Sequence, residues 1–350
     1  MKLALICPSN ILYMPYVENY TKVLKDNNID YDIINWDRLN IEKESEFTYK
    51  DIKVGHQRGF LDYYKYSRFV TKKLNNNNYD KIIVFGIQLL FFLRYSLIKN
   101  YCNKFIIDIR DYNIVLKYFN IDKIIKYSNF VVLSSEGYKT WLPSSNKYVI
   151  NHNTNLDNIN ELEPLKKLST EGDRISIGFI GGIRDYNINI DFIDSLKNNN
   201  FINLFFHGEG DINSDISKYL KDNNIKNVIL TGRYTKDEEK ELYHKNNLIN
   251  VLRYNDSINN KTALPNRLYN STINGIPMIA FKGTYLSEII EKYKLGLVLE
   301  SFDNVEIKIQ EYINNFAYND YEELRKMFLV KVIKENEYFY KEIKKFIKSI

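Results

Sequence analysis

Residues 264–280 place a cation where chain geometry already favours a bound anion. Pro265 stands at the expected start of a short helix over 266–273, where its fixed φ suits the first turn and its missing N–H removes no needed donor. Gly275 supplies the left-handed turn that ends such a helix, and Pro277 leads a new strand. The helix start therefore offers backbone N–H groups and a positive dipole end, with Asn266, Arg267 and Asn270 on its first turns. Diphosphate is the usual anion for such a place. A second cation follows the apolar run 175–180, which leads into Gly181, Gly182 and Arg184. Glycines after a buried strand let backbone approach a ligand closely, and a guanidinium adds charge-assisted hydrogen bonds. Plain turn chemistry is the competing reading of these glycines. With Arg267, Arg184 makes a two-cation clamp. Arg253 ends the run 249–252, on the side where open α/β sheets bind ligands.

Holding these groups requires parallel sheets flanked by helices, which alternating apolar runs and helical patterns predict. In the first half, strands are expected at 3–7, 31–35, 81–85, 104–109, 130–133 and 148–150. Helices are expected between them at 16–25, 60–74, 88–98, 120–127 and 136–142. A polar stretch then carries Pro164 and ends in Glu171, Gly172 and Asp173, which reads as a linker. The alternation restarts with strands at 175–180, 203–207, 228–231, 249–251, 277–280 and 297–299. Helices are expected here at 191–198, 212–223, 236–245, 266–273 and 286–292, and 254–263 as a polar loop. At 350 residues the chain exceeds the size of a single core, so two domains are expected. They span 1–153 and 174–334, with the linker at 154–173.

Residues 264–280 resemble the nucleotide-sugar site of glycosyltransferases with two Rossmann-like domains (the GT-B fold), family 4 in particular. There a P-x-K/R-L-x-E-x-x-x-x-G-x-P-V-I pattern holds the donor, and residues 281–296 look like its continuation. The resemblance implies two doubly wound parallel-sheet domains facing a cleft, with the final helix, about 335–350, packing back on the first domain. It implies transfer of a sugar from a nucleotide diphosphate sugar to a glycan or lipid-linked acceptor in bacterial surface polysaccharide synthesis. Retention of configuration, and no metal or other cofactor, are implied with it.

The same resemblance suggests roles for further residues. His207 and Gly208 look like a G-x-G loop beside the donor, although a strand-end histidine also serves as a local hydrogen-bond partner. Tyr234 is a candidate to stack on the base, or a cap on its own loop. Glu288 matches a glutamate that holds ribose or sugar hydroxyls, or is simply a charge suited to a helix start. Asp108 and Asp111 look like a D-x-R-D segment on the acceptor side, where Asp111 can orient or deprotonate the acceptor hydroxyl. A local ion pair with Arg110 is the other reading. Asn10 is the main polar group of the bulky loop 8–15 on that side, and His152 is a further lining residue. Two departures stand out. Asn270 occupies the position of the usual Glu, and Thr262 that of its partner carboxylate eight residues earlier. An amide can accept a hydrogen bond there and can also donate one. An altered donor contact and weak or absent catalysis both fit.

Bulk properties narrow the partners. A net charge of +5 is a mild excess, and no basic stripe or module for nucleic acid is present. Cys7 and Cys102 sit in apolar runs without metal spacing, as expected of a reduced cytoplasmic protein. No apolar run reaches the ~18 residues of a spanning helix. Residues 58–73 interleave aromatic with basic side chains, which suits either a peripheral position on the inner face of the cell membrane or ordinary packing on the sheet. Two alternatives remain. A nucleotide-sugar 2-epimerase of the same fold would carry more carboxylates and histidines than the four histidines here allow. A non-catalytic partner of an active transferase would account for Thr262 and Asn270.

Overall fold

A computed structural model describes residues 1–165, 167, 168 and 174–349; the end of the expected linker, 171–173, lies outside the described residues. The chain divides into two compact units, one of Met1–His152 with Glu335–Ile350 and one of Asn153–Lys334.

The first unit holds seven strands: β1 (Lys2–Cys7), β2 (Asp30–Asp37), β3 (Thr48–Lys50), β4 (Lys81–Phe85), β5 (Phe105–Ile109), β6 (Phe130–Leu133) and β7 (Tyr148–Ile150). All pair in parallel in the order β3-β2-β1-β4-β5-β6-β7. Helices α1 (Val17–Asp26), α2 (Phe60–Asn76), α3 (Ile87–Asn100) and α4 (Ile121–Tyr127) connect them. The central strands are buried along almost their whole length, as expected of a parallel sheet covered by helices on both faces. On one face Leu3, Leu5, Ile83 and Phe130 pack with Tyr20 of α1 and with Phe339, Ile343 and Phe346 from the end of the chain.

The second unit repeats the scheme with β8 (Ile175–Ile180), β9 (Ile202–His207), β10 (Val228–Gly232), β11 (Leu248–Asn250), β12 (Met278–Phe281) and β13 (Gly296–Leu299). Their order is β10-β9-β8-β11-β12-β13, again all parallel. Its helices are α5 (Tyr186–Ser195), α6 (Asn213–Asp222), α7 (Lys236–Lys245), α8 (Ile258–Thr262), α9 (Asn266–Ile273), α10 (Tyr285–Lys292), α11 (Val305–Asn314) and the first part of α12 (Tyr318–Lys348). Strand alternation sends Ile175, Ile177 and Phe179 into one core with Phe192 and Phe206. Ile180, Ile249 and Met278 enter the other core, with Tyr243, Leu268 and Phe328.

Each sheet reverses its strand order once, at β1/β4 in the first and at β8/β11 in the second. Ligands of open α/β sheets bind beyond the carboxyl ends of the strands at such a point. Two parallel, doubly wound sheets of this kind make the GT-B architecture. Among the described residues no helix is long and apolar enough to cross a membrane.

Candidate functional site

In the second unit the loops that leave β8, β9 and β10 stack backbone on backbone. The Gly181 N–H donates to the His207 carbonyl (2.9 Å), Gly208 N–H to Gly232 (2.8 Å) and Ile183 N–H to Glu209 (3.3 Å). Glycine is required for this closeness. A Cβ on Gly208 would lie 2.0 Å from the Gly181 carbonyl oxygen, and its φ of +131° is closed to other residues in any case. Gly181, at φ +123°, has nothing within 4 Å of an added Cβ. The stacked loops thus leave open space above β8, and the exposed Gly182 borders it.

Arg184 follows this loop, exposed and without a carboxylate partner among the described residues. Asp185 next to it takes a left-handed φ of 62° and begins α5 without a side-chain cap. A buried amide relay runs from here to β11. Asn189 Nδ2 donates to the carbonyls of Arg184 (2.6 Å) and Asp185 (3.0 Å). Asn250 Nδ2 reaches Asn189 Oδ1 at 3.5 Å, and the Asn250 carbonyl accepts from Arg267 Nη1 at 2.9 Å. Asn189 and Asn250 are fully buried, so a chain of hydrogen bonds fixes the Arg184 loop relative to Arg267.

Arg267 lies in the first turn of α9, which starts at Pro265 without a side-chain cap, whereas α8 and α10 are capped by Ser257 and Thr284. Its guanidinium stacks on Phe179, 3.6 Å from the ring centroid. No described carboxylate pairs with it. Burial first, then repulsion from nearby Arg253, push its pKa down to about 9, partly offset by Tyr243, Asp185 and Tyr234. It therefore stays charged at neutral pH while lacking a counter-ion among the described residues. Arg253, at the end of the β11 run, reaches the Ala263 carbonyl at 3.5 Å. Two like-charged guanidiniums beside two uncapped helix starts favour a multiply charged anion. At its other end α9 is closed by Gly275, at φ +69°, and by buried Arg325, whose Nη1 donates to the Thr272 carbonyl (3.2 Å).

The remaining second-unit candidates fall into two groups. Tyr234 is half-buried, with its pKa pushed up to about 12 by burial and by Glu239 while Arg267 acts the other way, which places it beside Arg267. Asn270, one turn beyond Arg267, donates to Glu239 Oε1 of α7 at 2.9 Å. Glu239 escaped sequence reading because its partner lies thirty-one positions away. His207 is buried, shares a hydrogen bond with Thr231 Oγ1 (2.9 Å) and stacks on Phe205, and burial lowers its pKa. One ring nitrogen is thus engaged locally, while Nε2 has no hydrogen-bond partner among the described residues. Glu288 is exposed in the first turn of α10, and Thr262 is buried with its hydroxyl on the Ile258 carbonyl (2.7 Å).

In the first unit the predicted polar residues are held internally. Asn10 is fully buried, its Nδ2 on Asp37 (2.7 Å) and its Oδ1 on the Arg38 N–H (3.0 Å), so it ties the loop after β1 to the end of β2. Asp108 is fully buried and grips Arg110 with both oxygens (2.6 and 2.8 Å), and it accepts from Tyr20 at 2.6 Å. Arg110 goes on to Asn151 and lies over Tyr16. The carboxylate raises the Arg110 pKa against the opposing cost of burial. Asp111 alone of this segment is exposed. His152 pairs with Glu335 (2.6 Å).

Among solved structures, the chain is similar over its full length to GT-B proteins. It shares 12% identity and a TM-score of 0.67 with sucrose-phosphate synthase from Thermosynechococcus elongatus, covering 99% of this chain and 94% of that one. With the lipopolysaccharide galactosyltransferase WaaB the figures are 14% and 0.64, with 99% of each chain covered. With HepE of Anabaena, solved with UDP and glucose, they are 12% and 0.62, covering 99% and 100%. No family model matches the chain, and no curated protein matches its sequence.

Proposed function

We propose that this protein is a glycosyltransferase whose second unit binds a nucleotide diphosphate sugar, with the diphosphate at the β8/β11 corner. One observation carries the reading: Arg267, beside Arg253 at an uncapped helix start, is a charged guanidinium with no carboxylate partner among the described residues, at the sheet's topological switch point. A diphosphate supplies the missing charge. During transfer, negative charge grows on that diphosphate as it leaves, and Arg267, Arg184 and the start of α9 are aimed where it develops. Tyr234 is the stacking surface for the base.

Structures of HepE with UDP and with UDP-glucose support a nucleotide-sugar donor on this fold. The similarity to WaaB, a lipopolysaccharide outer core galactosyltransferase, and to WaaG, a glycosyltransferase involved in lipopolysaccharide biosynthesis, supports a glycan or lipid-linked acceptor in bacterial surface polysaccharide synthesis. Retention of configuration rests on the resemblance of residues 264–296 to family 4. Asp111, the exposed carboxylate after β5, is the candidate to meet the acceptor hydroxyl. On α2 Phe60, Leu61 and Tyr64 are exposed with Lys65 and Arg68, while Tyr66 and Val70 are buried. Such a face suits attachment to anionic lipid. Arg58 takes no part in it, since its side chain is bound to Asp51 (3.0 Å).

The test is a panel of nucleotide sugars with the whole protein, scored for binding and for slow hydrolysis without acceptor. Tight binding with slow hydrolysis is expected. Binding without any hydrolysis or transfer would favour a non-catalytic partner, interconversion of the sugar would indicate an epimerase, and no binding would overturn the reading.

A further inference from the structure

We infer that Glu239 of α7 is the carboxylate that holds a sugar-ring diol of the bound donor, taking over a task that Asn270 cannot perform with charge. The inference rests on the donor reading above and assigns a residue within that site.

Glu239 is half-buried, and no described cation forms an ion pair with it. One oxygen, Oε1, is fixed by Asn270 Nδ2 at 2.9 Å, and the other makes no hydrogen bond within the described protein. A carboxylate desolvated in this way without a counter-charge needs further donors. Burial raises its pKa, which the Asn270 bond and exposed Lys236 only partly offset. Around it stand Tyr234 and Tyr243, on both of which its charge acts. Asn270 places it one helical turn from Arg267 on the neighbouring helix.

This location decides what the free oxygen can bind. Next to a diphosphate a carboxylate repels the phosphates, so its partners must be neutral donors. A vicinal diol offers two O–H groups at a spacing one carboxylate can accept, and a ribonucleotide sugar such as UDP-glucose carries diols on its ribose and on its sugar ring. Asn270 is then the positioning residue: it donates to Glu239 and so orients the carboxylate, leaving its own carbonyl oxygen as an acceptor.

The test measures calorimetric affinity of the wild type and Glu239→Gln for whichever of UDP, GDP, ADP and CDP binds tightest, for its 2′,3′-dideoxy analogue and for the matching glucose conjugate. Gln at 239 keeps an acceptor for Asn270, and equal melting temperatures confirm that the fold is intact. The wild type should prefer the hydroxylated nucleotide by about tenfold, the size of one or two hydrogen bonds to a charged group, and Glu239→Gln should erase that preference. A loss confined to the glucose conjugate would place the diol on the hexose instead of the ribose and still support the assignment. Adding Asn270→Glu to Glu239→Gln returns a carboxylate to the same spot and should restore most of the affinity. Wild-type binding that Glu239→Gln leaves unchanged for every ligand would overturn the role of Glu239 alone. Failure of every nucleotide to bind the wild type would overturn the donor reading and Glu239 with it.

Discussion

The Arg267 guanidinium lies over the Phe179 ring, its carbon 3.6 Å from the centroid, while Nη1 donates to the Asn250 carbonyl at 2.9 Å. Strand β8 supplies the ring and strand β11 the carbonyl, so the two strands at the switch point jointly orient one cation. Stacking and a directed fork both depend on a planar guanidinium. Arg267→Lys should therefore weaken nucleoside diphosphate binding nearly as much as Arg267→Ala, by roughly 1.5–3 kcal/mol. Fluorescence titration with the tightest nucleotide checks this, and a lysine variant with wild-type affinity would mean that only the charge matters.

Exposed Arg184 makes a different prediction. Its removal touches no packed group, so Arg184→Ala should melt like the wild type while binding the diphosphate more weakly by about 1 kcal/mol or more. Greater loss at low than at high salt would mark the contribution as electrostatic.

Gly208 sets the height of the stacked loops. In Gly208→Ala the new Cβ meets the Gly181 carbonyl oxygen at 2.0 Å in a backbone conformation unsuited to a side chain. We expect about 2–5 kcal/mol of destabilisation together with loss of nucleotide binding. Gly181→Ala meets no atom within 4 Å and should cost only the strain of its positive φ. Chemical denaturation of the two variants ranks them.

The buried pair of Asp108 and Arg110 is a stability element of the first unit. Asp108→Ala strands a buried guanidinium and should cost about 3–5 kcal/mol, read as a melting temperature lower by roughly 10 °C. Because the nucleotide corner lies in the other unit, diphosphate affinity measured well below melting should stay unchanged.

Glu239 predicts a pH dependence with a definite sign. Its pKa is raised by burial, so the carboxylate takes up a proton earlier than an ordinary glutamate as pH falls. Protonation removes the acceptor, so nucleotide affinity should fall with pH through that raised value. The bound phosphate titrates near about pH 6 itself, so the informative quantity is the difference between wild type and Glu239→Gln. That difference should shrink as pH falls.

Much of this arrangement is legible from local pattern. Helix α9 occupies Asn266–Ile273 as Pro265 and Gly275 indicate, and the apolar runs become β4, β6, β7 and β8 at their expected bounds. Misses occur where tertiary context decides. Helix α5 runs from Tyr186 to Ser195, five residues ahead of expectation, because Asp185 turns left-handed and sends Ile188 and Phe192 inward, which Tyr-Asn-Ile-Asn-Ile does not advertise. The polar stretch 254–263 hides helix α8, capped by Ser257, and β3 has only three residues, none of them buried. Asn10 and Asp108 appear as free polar groups in sequence because Arg38 and Tyr20, which engage them, lie 28 and 88 residues away. Glu239 is one of several acidic residues at the start of α7 until its contact with Asn270 separates it from them.

The most direct measurement is isothermal titration of the whole protein and of Arg267→Ala with UDP, GDP, ADP and CDP and their glucose conjugates. At least one of them should bind the wild type, and Arg267→Ala, melting normally, should bind it at least tenfold more weakly. Unchanged affinity in Arg267→Ala, or no binding by the wild type to any of them, would contradict a diphosphate site at the β8/β11 corner.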